Sequence, residues 1–135
     1  MIALNHTHDA SARSWVDAAN TADTDFPIQN LPYAEFRRTG SPEPFRGGVA
    51  IGDQVLDLAA LAAGSHIDGL ALDAARVAAL PALNDFFALG PTAWQALRHA
   101  IFALLRSDAP AATVDDLRKC LAPQAEVEYT VPARI

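Results

Sequence analysis

The chain reads as α+β, a small antiparallel sheet or barrel with helices packed to one side, and three stretches predict it. Two short runs rich in β-formers, Phe45 to Ile51 and Gln54 to Leu58, flank Gly52-Asp53. That is a strong hairpin signal, because glycine accepts the positive φ that primed turns demand. Pro91 to Arg106 carries Trp94, Leu97, Ile101, Leu104 and Leu105 at helical spacing, behind a proline suited to the first helical position. Glu126 to Val131 alternates polar and apolar residues, the period of a half-buried strand. Strands come early, helices hold the middle and one strand returns at the end, an order that suggests helices segregated to one side of an antiparallel sheet.

A length of 135 residues fits one domain with a real core. Half the residues are apolar, but no run approaches the about 20 needed to span a bilayer. Met1 to His6 shows no basic region leading into an apolar core, so no signal peptide is expected. A single cysteine, Cys120, excludes an internal disulfide, and a cytoplasmic protein is expected. The net charge is −6 and the ten basic residues are scattered, which argues against nucleic acid as a partner.

Residues 1–10 form a polar lead-in. His6, His8 and Asp9 look like a metal cluster on paper, but no third histidine or cysteine follows at ligand spacing. Ser11 is placed to cap a helix from Ala12 to Ala19 that buries Trp15, Val16 and Ala19. Asn20 to Asp25 is a loop. Phe26 to Tyr33 contains Pro27 and Pro32; each removes a donor and extends its predecessor, so this segment should pack without a regular ladder. Tyr33 to Arg38 reads as a strand and Gly40 to Pro44 as a turn.

With Gly52-Asp53 as the loop, Ile51 faces Gln54, Val49 faces Leu56 and Gly47 faces Leu58. Val49, Ile51, Leu56 and Leu58 then share a core face, while Arg46, Ala50, Val55 and Asp57 make the other face mixed. Asp57 should cap a short helix ending at Gly64. Residues 65–72 read as irregular, Asp73 as the cap of a helix that stops before Pro81, and Asn84 to Leu89 as a further turn or two. After the long helix, Thr113 to Asp116 matches a capping box. The helix it opens should carry Leu117, Cys120 and Leu121 inward and end at Pro123.

Catalytic signals are missing. The sequence holds no nucleophile elbow, phosphate loop or dinucleotide fingerprint. Gly47-Gly48 precedes a strand, so close packing or a bulge accounts for it. Cys120 lies on an apolar helix face, as a buried inert thiol would. His99 falls on the solvent side of its helix, and His66 lies in a loop.

Asp23 to Tyr33 and Val49 to Leu58 closely resemble the N-terminal domain of the fumarylacetoacetase family. So do Leu83-Asn84 with Phe86, Leu89-Gly90 with Ala93-Trp94, and Leu117 to Cys120. The resemblance runs from about residue 14 to residue 135. It implies an SH3-like antiparallel β-barrel with packed helices, an N-terminal extension with a short helix over 1–22, and the barrel domain over 23–135. It also implies an enzyme that hydrolyses a C–C bond of 4-fumarylacetoacetate to fumarate and acetoacetate, in tyrosine and phenylalanine catabolism.

In that family a larger C-terminal hydrolase domain holds magnesium or calcium and a histidine base, and supplies most of a homodimer interface. None of those residues has a match here, so no catalytic or metal residue is expected in this chain, which should be inactive alone. Its expected partner is the C-terminal hydrolase domain of the same enzyme, with neither nucleic acid nor membrane involved. Phe26, Pro27, Ile28, Leu31, Pro32 and Tyr33 form the expected docking surface. The alternative is a stand-alone SH3-like interaction module using Tyr33, Glu35, Phe36 and Glu43. A metal enzyme built on His6, His8 and Asp9 is the third reading.

Overall fold

The computed structural model describes residues 6–79 and 84–130. Five strands, β1 (Tyr33–Arg38), β2 (Arg46–Ile51), β3 (Gln54–Asp57), β4 (Leu121–Pro123) and β5 (Val127–Thr130), form one antiparallel sheet in the order β4-β3-β2-β1-β5. Among the described residues between β3 and β4 run five helices, α1 (Leu58–Ala63), α2 (Gly69–Ala78), α3 (Asn84–Ala88), α4 (Pro91–Leu105) and α5 (Ala111–Arg118). The expected stops at Pro81 and the resemblance at Leu83 lie outside the described residues, as does the Val131 end of the last alternation.

The hairpin has the register its sequence dictates: Val49 pairs with Leu56 and Ile51 with Gln54. Gly52 has φ +57 while Asp53 is not in the positive-φ region, the pattern of a type II′ turn. Val49, Ile51, Leu56 and Leu58 are fully buried in the main core with Leu97, Ile101 and Phe102 of the helical layer. The opposite face, expected to be mixed, has its own small core of Phe36, Val55, Ala122 and Val127. Ala122 and Val127 come from the two edge strands, so the sheet curls around this face. Gly48 makes room for it. A Cβ there would lie 2.7 Å from the Phe36 ring and 2.8 Å from Val55.

The implied SH3-like barrel is not what forms. The sheet is open, and no ladder joins β4 to β5 among the described residues. β4 is three residues long and ends at Pro123, which has no N–H for a ladder. The chain then crosses the gap as a 3-10 turn, Gln124–Glu126. The Gln124 backbone N–H donates to Asp53 O, and its side-chain amide donates to Gly52 O and Gln54 O. This turn therefore caps the hairpin tip where strand pairing would have closed a barrel.

Other local expectations yield to tertiary contacts. The expected helix over Ala12–Ala19 is absent; a 3-10 turn occupies Asp17–Asn20 and Ser11 caps nothing. Ser14 and Trp15 instead serve the C-terminus of α4, whose last carbonyls lack helical partners. Ser14 Oγ donates to Leu105 O at 2.6 Å and Trp15 Nε1 to Leu104 O at 2.9 Å. α2 begins at Gly69, inside the stretch read as irregular, so Asp73 is not its cap. α5 begins at Ala111 and ends at Arg118, and the stretch ending at Pro123 is strand β4 rather than helix. Its capping box is unused, since Asp116 turns to His66 at 3.0 Å.

Asp57 is the cap the sequence predicts: Oδ1 accepts from Ala59 N while Oδ2 receives Arg46 at 2.9 Å. One carboxylate thus joins sheet to helical layer. We expect Gly48→Ala to lower stability by about 1–3 kcal/mol, because Phe36 is fully buried and has nowhere to move. Urea unfolding measures this; an unchanged midpoint would mean the ring is not confined.

Candidate docking site

The Phe26 to Tyr33 segment lies beside β2 at the turn end of the β2–β3 hairpin. Gly52 N donates to Phe26 O at 2.8 Å and Ala50 N to Pro32 O at 3.1 Å, so both ends of the segment are tied to β2. Between them a turn closes with Asn30 N donating to Pro27 O at 2.9 Å. Leu31 ends that turn at φ +45. A non-glycine residue costs about 1–2 kcal/mol in this left-handed region. Burying its side chain to 4% exposure offsets that, since a core leucine is worth about 1.5–3 kcal/mol.

The six expected docking residues divide. Ile28 and Leu31 point into the main core and are covered by this domain itself. Tyr33 is half-buried, its ring centroid 4.7 Å from that of Phe86. Pro27 lies beside a separate cleft with His8, Arg13 and Gln29. Phe26 and Pro32 face another way and line an open groove of about 220 Å³ with Ala34, Ala50, Gln124 and Tyr129. Ala34, Ala50 and Tyr129 share the curled face of the sheet by register.

This groove is almost wholly apolar. The Gln124 amide, its polar lining group, is already engaged: Nε2 donates to the hairpin carbonyls and Oε1 accepts from Tyr129 Oη at 3.0 Å. Tyr129 nonetheless stays 43% exposed, one of the few large apolar side chains left in solvent. Sequence reasoning marked Phe26 and Pro32 through the prolines but did not mark Tyr129. Pairing with Phe36 puts Tyr129 on the curled face, beyond the reach of the small core.

Arg98 of α4 holds the segment from behind. Its Nε donates to Thr7 Oγ1 and its Nη1 to Asn30 O, each at 2.9 Å, and Nη2 donates to Gln29 O. Burial pulls the Arg98 guanidinium below its usual value. The Gln29 side chain reaches the same N-terminal stretch, donating to Asp9 O at 2.9 Å and Ala12 O at 3.0 Å.

The groups offered for other chemistries do not converge. Among the described residues no three His, Cys, Asp or Glu side chains could share a metal. The Asp9 carboxylate accepts from Ser11 N and Oγ, which hold it below the usual carboxylate range. The His6 side chain lies outside the described residues. A divalent metal therefore finds no fitting donor set among the described residues.

Cys120 donates to Asp116 O at 3.7 Å, and burial, then Asp57 and Asp116, push its thiol up, away from the thiolate a nucleophile needs. His99, expected in solvent, is half-buried. The module alternative loses its groove as well, because Glu35 and Phe36 are fully buried. No helix among the described residues is long and apolar enough to cross a membrane.

Burial holds the Tyr33 hydroxyl well above the usual phenol range, and Tyr129 is raised for the same reason. The fold thus favours neutral phenol, a contribution complete below the ordinary value of 10.0 and lost as pH climbs through the raised one. Tyrosinate absorbance should lag behind that of free tyrosine as pH passes the ordinary value, and the Tyr33 part of it should rise only together with loss of far-UV circular dichroism. Titration of both tyrosines near the ordinary value in a folded chain would contradict this.

Residues 29–132 match the family described as fumarylacetoacetase N-terminal. The chain is 39% identical over 127 residues to a fumarylacetoacetase of Oryza sativa subsp. japonica, covering 91% of this chain and 29% of that protein. It is 39% identical over 125 residues to one of Arabidopsis thaliana, with the same coverage of each. It is 43% identical over 117 residues to one of Homo sapiens, covering 84% of this chain and 27% of that protein. The chain spans less than a third of the length of these relatives.

Proposed function

We propose, from the fact that this chain belongs to the fumarylacetoacetase N-terminal domain family, that it is the non-catalytic supporting domain of an enzyme hydrolysing a C–C bond of 4-fumarylacetoacetate. In this reading the metal (magnesium or calcium), the general base and most of the dimer interface belong to a larger hydrolase domain of the same enzyme. The domain described above supplies a rigid surface for it. The observation that carries the reading is the groove between Phe26, Pro32 and Tyr129: apolar, internally satisfied in hydrogen bonds, and built on a segment anchored at both ends.

The occupant assigned to the groove is the hydrolase domain. The relatives are more than three times as long as the region they share with this chain, and β5, whose Tyr129 forms a groove wall, is the last element described. A preset apolar surface suits such a partner, because little ordering is left to oppose association.

Two measurements test the proposal. The purified chain with added magnesium or calcium should release no acetoacetate from 4-fumarylacetoacetate; metal-dependent turnover would refute the non-catalytic role. Grafted in place of the matching region of the Oryza sativa relative, the chain should give active enzyme. Tyr129→Asp in that graft should weaken assembly about tenfold or more, the cost of about 1.4 kcal/mol at the interface. Full activity of the Tyr129→Asp graft would remove the groove from the docking surface.

A further inference from the structure

We infer that Arg98 is the positioning residue of the groove: its guanidinium fork holds the Phe26–Tyr33 segment in the form that places Phe26 and Pro32 at the groove wall. The use of the groove rests on the docking reading above; the positioning belongs to this chain alone.

Three observations lead there. The turn over residues 28–30 ends in a left-handed residue, Leu31. Beyond the one bond that closes the turn, Gln29 O and Asn30 O accept no main-chain hydrogen bond among the described residues. The Arg98 fork meets both of those carbonyls with separate nitrogens. Among the described residues no carboxylate lies within ion-pair distance of Arg98. The charge is therefore answered by backbone oxygens and by Thr7, whose hydroxyl and carbonyl both accept from it.

A planar fork is what this geometry requires. A lysine ammonium carries the same charge but cannot address separated acceptors in one plane. Thr7 is fully buried, so Arg98 and Gln29 together fasten the N-terminal stretch to the back of the segment. Leucine has no intrinsic preference for φ +45. With the fork withdrawn, core burial of Leu31 alone opposes relaxation toward negative φ, a relaxation that swings Pro32 relative to β2.

The test is residue-resolved amide exchange on the 135-residue chain and on its Arg98→Lys and Arg98→Ala variants. Gly52 and Ala50 report directly, since their N–H groups bond to Phe26 O and Pro32 O; Asn30 reports the turn. Arg98→Lys should speed exchange at these three amides at least tenfold and leave the β1–β5 ladder within twofold. Acceleration spread evenly over the sheet would make Arg98 a general stabiliser and overturn the positioning role, as would no change at the three amides. If Arg98→Ala fails to fold, Arg98→Lys decides. Because the readout needs no partner, a failed graft with the expected exchange pattern would refute docking and leave positioning intact.

Discussion

Phe36 fills space that Gly48 leaves by having no side chain, and the curl of the sheet depends on that contact. With Phe36 seated against the β2 backbone, Ala122 and Val127 from opposite edges reach one small cluster. β2 is consequently buried on both faces over Gly47 to Ile51. The helices cover one side, and the sheet's own curvature covers the other. Asp57 sits where the two meet, tied to Arg46 on the sheet and to the first turn of α1.

The curled face changes character along its length. Near Phe36 it is closed core; toward Ala34, Ala50 and Tyr129 it opens into the groove. Gln124 stands at the transition and satisfies the hairpin carbonyls there. The groove lining carries no carboxylate, imidazole or thiol.

The hairpin was legible in the sequence because its information is local: a period of two, a glycine at the turn, a carboxylate at the helix start. The open sheet was not, since closure is decided by how β4 ends and by where the Gln124 side chain goes. Ser14 and Trp15 looked like helix residues because their partners lie about ninety positions away, at the end of α4. The docking segment was half legible. Prolines announce its stiffness, but nothing in a leucine announces φ +45, the angle at which the chain passes from inward Leu31 to outward Pro32. Arg98 fell on the polar face of α4 by periodicity, a face that the segment covers without any periodicity of its own.

An unclosed sheet has two borders, and strand borders invite pairing with a neighbouring molecule. Among the described residues each border is brief: three residues ending in a proline on one side, four on the other. The polypeptide between them folds back over the hairpin tip rather than running on alongside it. On the β4 side the fold forgoes the barrel yet leaves little template for sheet-to-sheet polymerisation, a safeguard against aggregation built from the same proline and glutamine that keep it open.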